Sequence, residues 1–245
     1  MILIRSTLFN ILFFLFTAIA CIVCIPFAFS SHKTILKIVH AYLKGIYALE
    51  KNILNLDYEV RGIEHLPTDG AFLVAAKHQS TYETFKLHFL FSDPAIILKK
   101  ELLSIPIWGA FLKRIEPVAI NRSDRKEATE KVIEGAHRVQ EQGRPLIIFP
   151  QGTRVKLEHT ISEKPYKQGI ARMQKATGMP IIPLALNTAK YWPRSKWCKH
   201  PGIVVFEFLP PIQPGKDIKD VMNELETNIE HHSIRLCDEA EAARA

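Results

Sequence analysis

The chain has 245 residues, 47% hydrophobic and 23% charged, a balance that excludes a disordered polymer and leaves room for a membrane segment plus one domain with its own core. Its formal net charge of +7 suits anionic partners: anionic lipid, phosphorylated metabolites or nucleic acid. No recognisable nucleic-acid motif accompanies that charge, and the N-terminal segment favours lipid.

From Thr7 to Phe29 there is no charged residue, and about 20 apolar residues cross a bilayer core. A cleaved signal peptide has an apolar region of about 7 to 15 residues followed by small residues. This run is longer and ends in aromatic and apolar side chains, which points to a retained anchor, with Pro26 kinking or ending the helix. Cys21 and Cys24 lie inside it with no His or acidic neighbour, so they read as small apolar side chains. The four cysteines together do not form a disulfide framework. In residues 32–56, Ile35, Val39, Tyr42, Leu43, Ile46, Leu49 and Ile53 recur at helical spacing, with Lys33, Lys37, Lys44 and Lys51 between them. Such a helix can lie on an anionic membrane surface or pack on the domain. Arg5 precedes the apolar run, whereas four lysines and His32 follow it, so the excess places the C-terminal domain in the cytoplasm if the run spans; if the two helices form a re-entrant hairpin, both ends are cytoplasmic.

Beyond residue 57 short apolar runs alternate with helical stretches. Ala71–Ala76, Ala95–Leu98, Ile115–Ile120, Leu146–Phe149, Ile181–Leu186 and Ile203–Phe208 are predicted strands. Asp124 to Gln142 is the clearest helix, with Ala128, Val132, Ala136 and Val139 on one face, Asp124 and Glu127 spaced for a capping box and Gly143 as a stop. A second helix runs from about Lys167 to Thr177, and a polar one from about Ile218. The expectation is an α/β domain over residues 57–245, with a mixed, largely parallel sheet flanked by helices, behind a membrane-associated helical segment over residues 1–56.

Three groups of residues can carry chemistry. In residues 75–84 a strand ends at Ala76, Lys77 and His78 follow in a loop, and Ser80 opens a helix. Ser80 and Glu83 are spaced for a capping box; alternatively Glu83 reaches an imidazole nitrogen of His78, fixes its tautomer and leaves the other nitrogen as a base. In residues 145–154 a buried strand ends in Gln151, Gly152, Thr153 and Arg154, at the strand end where α/β sheets bind ligands. Gly152 permits close backbone approach, Thr153 adds a hydroxyl and Arg154 a planar fork suited to phosphate, although a turn with a surface arginine reads the same way. Between Lys99 and Arg122 lie Lys99, Lys100, Lys113, Arg114 and Arg122, separate surface cations or, with Arg154, an anion pocket.

Taken jointly, these blocks resemble the glycerolipid acyltransferase family, most closely the 1-acylglycerol-3-phosphate acyltransferases. HQSTYE (His78 to Glu83) is similar to the family's first block, KKELLSIPIWG with the later INR to its second, FPQGTR to its third and IIPLAL, with Pro183, to its fourth. The family more often has Asp where this chain has Glu83, and Glu where it has Gln151. The resemblance covers about residues 58 to 210. It implies acyl transfer from a thioester of coenzyme A or acyl carrier protein to the free 2-hydroxyl of 1-acylglycerol 3-phosphate, giving phosphatidic acid. Under it His78 is the base, Glu83 orients His78, and Lys99, Arg122, Gln151, Gly152, Thr153 and Arg154 bind the acceptor, whose phosphate falls to Arg154 and Arg122. Pro183 would close the site. The implied partners are membrane lipids, a lysophospholipid acceptor and the acyl donor, with no metal, no cofactor and no nucleic acid. The implied location is a bacterial inner membrane with the domain facing the cytoplasm. Another lysolipid acceptor, such as a lyso-amino-acid lipid, is the rival within that class, and a non-catalytic membrane lipid-binding protein the rival outside it.

Overall fold

The computed structural model describes residues 1–121, 123–156 and 161–242. Two helices open the chain, α1 (Ile2–Cys24) and α2 (His32–Leu49). Ser31 caps α2: its Oγ accepts from the Thr34 amide, and the two helices fold back on each other. They approach closely at Gly45, where a Cβ would lie 2.4 Å from the Phe16 ring. Phe16 stacks on Tyr42 at 5.6 Å, and the Tyr42 hydroxyl and Thr17 Oγ1 are 2.9 Å apart. Ile35, Leu43 and Ile46 of α2 face inward, so the helix packs on the rest of the chain, while Lys33, Lys37 and Lys44 are exposed on its other side. The helix stops at Leu49 rather than near residue 56. A π-helical turn (Glu50–Leu54) and left-handed Asn55 end it.

A strand missed by the sequence patterns follows at once: β1 (Leu56–Arg61). Its residues alternate, with Leu56, Tyr58 and Val60 on the face packed against the core and Asp57, Glu59 and Arg61 between them, but as an edge strand it has only Leu56 fully buried. Then come β2 (Leu73–Ala76), α3 (Tyr82–Leu90), β3 (Ala95–Lys99), α4 (Trp108–Arg114), β4 (Val118–Ile120), α5 (Arg125–Glu141) and β5 (Leu146–Ile148). The chain ends through α6 (Gly169–Thr177), β6 (Ile181–Leu186), α7 (Thr188–Tyr191), β7 (Gly202–Phe208) and α8 (Ile218–Ala242). The strand predicted over residues 115–120 is confined to Val118–Ile120, since Ile115 closes α4 instead. At the start of α5 the Asp124 carboxylate accepts from the amides of Lys126 and Glu127, which is the Asp124 half of the expected capping box. The last helix is not polar all round: Val221, Leu225, Ile229 and Leu236 are buried along one face, which covers the sheet.

The seven strands lie in the order β1-β7-β6-β2-β5-β3-β4. Every pairing is parallel except β6 with β7, so the sheet is mixed and largely parallel, as expected. Both faces are covered. Leu73, Ala75, Leu146 and Ile148 pack under α5, α6 and α8, while Phe72, Val74, Ala76 and Ile147 pack with Tyr82 and Leu87 of α3 and with Phe9 of α1. Burial on both sides is why these central strands read as unbroken apolar runs. Pro183 stands within the sheet opposite Ala75 and lines neither of the cavities described below.

The N-terminal helix has two sides. Ser6, Phe9 and Asn10 are buried against the domain, whereas Leu8, Ile11, Phe14, Leu15, Ile19 and Ile22 are exposed. Residues Ile2–Phe27 are long and apolar enough to cross a membrane, and only 11% of the most apolar stretch is buried. A soluble core helix would be mostly covered. This one offers its apolar surface outward while it is pinned by polar bonds: the Lys199 Nζ donates to Asn10 Oδ1 at 2.7 Å and the Lys199 amide to Ser6 Oγ at 2.9 Å.

Candidate active site

The site lies at the carboxyl ends of the adjacent strands β2 and β5. His78 leaves β2 two residues after Ala76, and its Nδ1 is 2.9 Å from Glu83 Oε1 in the first turn of α3. The same Oε1 accepts from the backbone amides of Gln79 at 2.7 Å and Ser80 at 2.6 Å. An oxygen already taking two amide protons is an acceptor, so Nδ1–H of His78 donates to it and Nε2 carries the lone pair. Glu83 is completely buried. Glu83 thus does both things read from the sequence: it caps the start of the helix, with Ser80 Oγ accepting from the Tyr82 amide, and it fixes the imidazole. Five residues apart on a continuous helix the two side chains would diverge; the turn between β2 and α3 brings them together.

The loop after β5 completes the setting. His78 stacks on Phe149 with ring centroids 4.1 Å apart, and the His78 carbonyl accepts from the Val155 amide at 2.7 Å. Gly152 adopts φ +68°, and a Cβ there would meet the Lys167 side chain at 3.0 Å. Arg154 Nη1 donates to Thr81 Oγ1 at 2.8 Å, so the arginine fork reaches the turn that carries His78. Gln151 is buried, its Nε2 directed toward the Lys164 carbonyl. Thr153 follows on the same loop, half-buried. On the other side of the turn, Lys77 donates to Glu230 of α8 at 2.6 Å, and Tyr166 donates to the other carboxylate oxygen at 2.8 Å.

Not every cation expected here is gathered. Arg122 lies outside the described residues. Lys99 is at the end of β3 and pairs with Glu101 at 3.2 Å, half-exposed, and none of Lys99, Lys100, Lys113 and Arg114 lines the cavity that contains Arg154. The cations that do are Arg194, Lys196 and Lys199, on the segment between α7 and β7. Sequence reasoning passed over them; the run WPRSKWCK (192–199) was the available signal, with two tryptophans among three basic residues.

Two cavities flank α3. One, of about 330 Å³, is lined by Thr81, Phe85, Arg154 and the 192–199 segment on the domain side and by Asn10, Phe13 and Phe14 of α1. The other, of about 340 Å³, lies among α1, α2 and α4 and is lined almost wholly by apolar groups, among them Phe16, Ala20, Ala41, Trp108 and Phe111. His88 faces this second space, and desolvation holds its pKa down to about 4, so it adds no charge at neutral pH. Phe85 lines both cavities; His78 lines neither directly, and Thr81 and Arg154 are its nearest representatives in the first.

Behind α3 is a buried ion pair. Lys86 Nζ lies 2.5 Å from Glu50 Oε2 and sits over the rings of Tyr47 at 4.2 Å, Tyr58 at 4.9 Å and Tyr82 at 5.0 Å. Burial pushes the Glu50 carboxyl up to about 7 and the Lys86 amine down. The pair joins the π-helical end of α2 to the helix that carries Glu83.

Similarity to known proteins agrees with this arrangement. A family model described as Acyltransferase matches residues 57–187, more than half of the chain. The chain is 34% identical over 156 residues to a 1-acyl-sn-glycerol-3-phosphate acyltransferase of Pseudomonas aeruginosa, covering 64% of this chain and 59% of that one. It is 29% identical over 177 residues to human lysophosphatidylcholine acyltransferase 1, covering 65% of this chain and 32% of that one. The chain therefore spans less than two thirds of the length of these curated relatives. The crystal structure of a 1-acyl-sn-glycerophosphate acyltransferase from Thermotoga maritima superposes with a TM-score of 0.77, over 96% of this chain and 98% of the other, at 24% identity, a likeness of fold. With the matched region running from β1 through β6 and holding the His78–Glu83 turn and the loop of Arg154, the chain belongs to the acyltransferase family.

Proposed function

We propose that the protein transfers a fatty acyl group from a thioester, of coenzyme A or acyl carrier protein, to the free hydroxyl of a lysophospholipid, with 1-acylglycerol 3-phosphate as acceptor and phosphatidic acid as product. The observation that carries this reading is the hydrogen bond from His78 Nδ1 to the fully buried Glu83, which leaves Nε2 as a base at the mouth of a parallel strand. His78 Nε2 takes the proton of the acceptor hydroxyl as its oxygen attacks the thioester carbonyl. The carbon–sulfur bond then breaks, and the imidazolium returns the proton to the departing thiolate. Glu83 holds the ring and stabilises its cationic form. No covalent acyl-enzyme intervenes, because the substrate hydroxyl is the nucleophile. The thioester supplies the driving force, so the reaction as written needs neither metal nor redox cofactor.

The two cavities suit the two ends of this reaction. The apolar one fits a fatty acyl chain, and the one lined by Arg154 fits a phosphorylated head group. Lys99 and Arg122 remain outer contacts for that head group in this reading, with Gln151, Gly152 and Thr153 shaping the loop beneath it. The outward apolar face of α1 and the exposed lysines of α2 support a position on or through a membrane, and the basic residues that follow α1 support a catalytic domain on the cytoplasmic side. An acyl-transfer assay on membranes tests the reading: labelled acyl-coenzyme A or acyl carrier protein is offered with 1-acylglycerol 3-phosphate, for wild type and His78→Ala. Phosphatidic acid formed by wild type alone supports it. Turnover that survives in His78→Ala removes the base, and binding of lipid with no turnover by any donor points to a non-catalytic lipid-binding protein.

A further inference from the structure

We propose that Arg194 and Lys196, on the segment between α7 and β7, bind the acceptor's head group beside Arg154 and set a preference for a phosphate monoester over a zwitterionic phosphodiester. The inference rests on the acyl-transfer reading and adds two residues outside the blocks that carry the family resemblance.

Among the described residues lining the cavity of about 330 Å³ there is no carboxylate, while four of them are cations: Arg154, Arg194, Lys196 and Lys199. Lys199 is committed elsewhere. It is buried, donates to Asn10 Oδ1 and the Trp197 carbonyl, and lies 5.1 Å from the Trp192 ring centroid, so it fastens α1 to the segment. Arg194 donates one N–H to the backbone carbonyl of Arg154 at 2.6 Å. That bond fixes the position of one guanidinium against the loop of the other and uses one of five donors. Ser195, at φ +58°, turns the chain between Arg194 and Lys196. Among the described residues, Lys196 has no acidic partner within ion-pair distance.

The remaining lining identifies the kind of ligand. Phe13, Phe14, Phe85 and Trp192 surround the same space, so the occupant is an amphiphile with an anionic end rather than a free inorganic anion. A phosphate monoester carries a charge of about −1.5 to −2 at neutral pH. A phosphocholine head carries one negative and one positive charge, and three clustered cations reward it less while having nothing to offer its ammonium.

The experiment measures acceptor kinetics in detergent-solubilised full-length protein, with saturating acyl donor. 1-Acylglycerol 3-phosphate and lysophosphatidylcholine are compared, the latter as substrate and as competing inhibitor, for wild type, Arg194→Gln, Arg194→Lys and Lys196→Gln. For Arg194→Gln we expect the KM for the monoester to rise by about 10- to 100-fold, the loss of a charge-assisted contact, while kcat stays within about threefold. The constant for lysophosphatidylcholine should stay within about twofold. Lys196→Gln should follow in the same direction, more weakly, and Arg194→Lys should recover part of the monoester affinity. An unchanged monoester KM overturns the proposal. So does a parallel loss for both lipids, which would make Arg194 only a prop for the loop of Arg154. If wild type transfers acyl groups to neither lipid, the acyl-transfer reading fails on its own. Binding of labelled 1-acylglycerol 3-phosphate micelles then decides the head-group assignment: binding lost in Arg194→Gln keeps it, and binding retained removes it.

Discussion

The two cavities on either side of Phe85 are nearly equal in size and opposite in chemistry. One is walled by the two N-terminal helices and α4, with aromatic and aliphatic groups; the other is walled by the start of α1 and by loops beyond the strands, with arginine and lysine added to aromatic rings. The difference shows how the fold divides labour. Helices that pack by small residues leave an apolar slot between them, whereas loops after parallel strands can bring cations from distant parts of the sequence to one point. Helices α1 and α3 belong to both sides, and the first turn of α3 carries the residue hydrogen-bonded to His78.

That division can be broken or sharpened by substitution. The largest effect is expected from His78→Ala, which serves both cavities: kcat should fall by about 10²- to 10⁴-fold for every acceptor and every chain length, read in a steady-state acyl-transfer assay. A fall confined to one acceptor would mean that the base is elsewhere. Next is Lys86→Ala, which leaves Glu50 buried without its partner. The cost should be about 3–5 kcal/mol of stability, measured by denaturant or thermal unfolding in detergent, and the double variant Glu50→Leu/Lys86→Met should regain most of it. If the single variant unfolds no sooner than wild type, α3 is not held from behind. Arg154→Ala should raise the acceptor KM by about tenfold or more and leave the preferred acyl chain length unchanged. Smallest is Ala20→Leu or Ala41→Leu, which fills the apolar slot. The preferred acyl chain should shorten with little change in acceptor KM, as read by competition among acyl-coenzyme A lengths; a shift in acceptor preference instead would merge the two cavities into one.

How much of this was legible in the sequence depends on periodicity. Helix α5 and strand β6 were readable almost to the residue, because one face of Val132, Ala136 and Val139 is buried and because β6 is covered on both sides. β1 was not, although Leu56, Tyr58 and Val60 alternate with Asp57, Glu59 and Arg61, because the strand is short, has one fully buried residue, and adjoins helical spacing that continues through Ile53. The stop of α2 at Leu49 was hidden because the apolar spacing continues through a π-helical turn that periodicity does not distinguish from α. In the candidate site, the closeness of His78, Glu83 and Arg154 was readable from their local spacing at strand ends. Arg194 and Lys196 were not, because what makes them part of the cavity is the return of a loop about 40 positions later, joined through the Arg154 carbonyl, and no local pattern records that.

The bonds between Asn10 and Lys199 and between Ser6 and the Lys199 backbone span 189 and 193 positions. On a ribosome adding about 5–20 residues per second, the first helix is made some 10 to 40 s before the lysine that anchors it. Through that interval the domain covers none of its surface, and Phe9 waits for a core that is not yet built. Birth order therefore exposes the apolar helix before the domain can close: the greasy helix is made first, and the finished domain closes onto it.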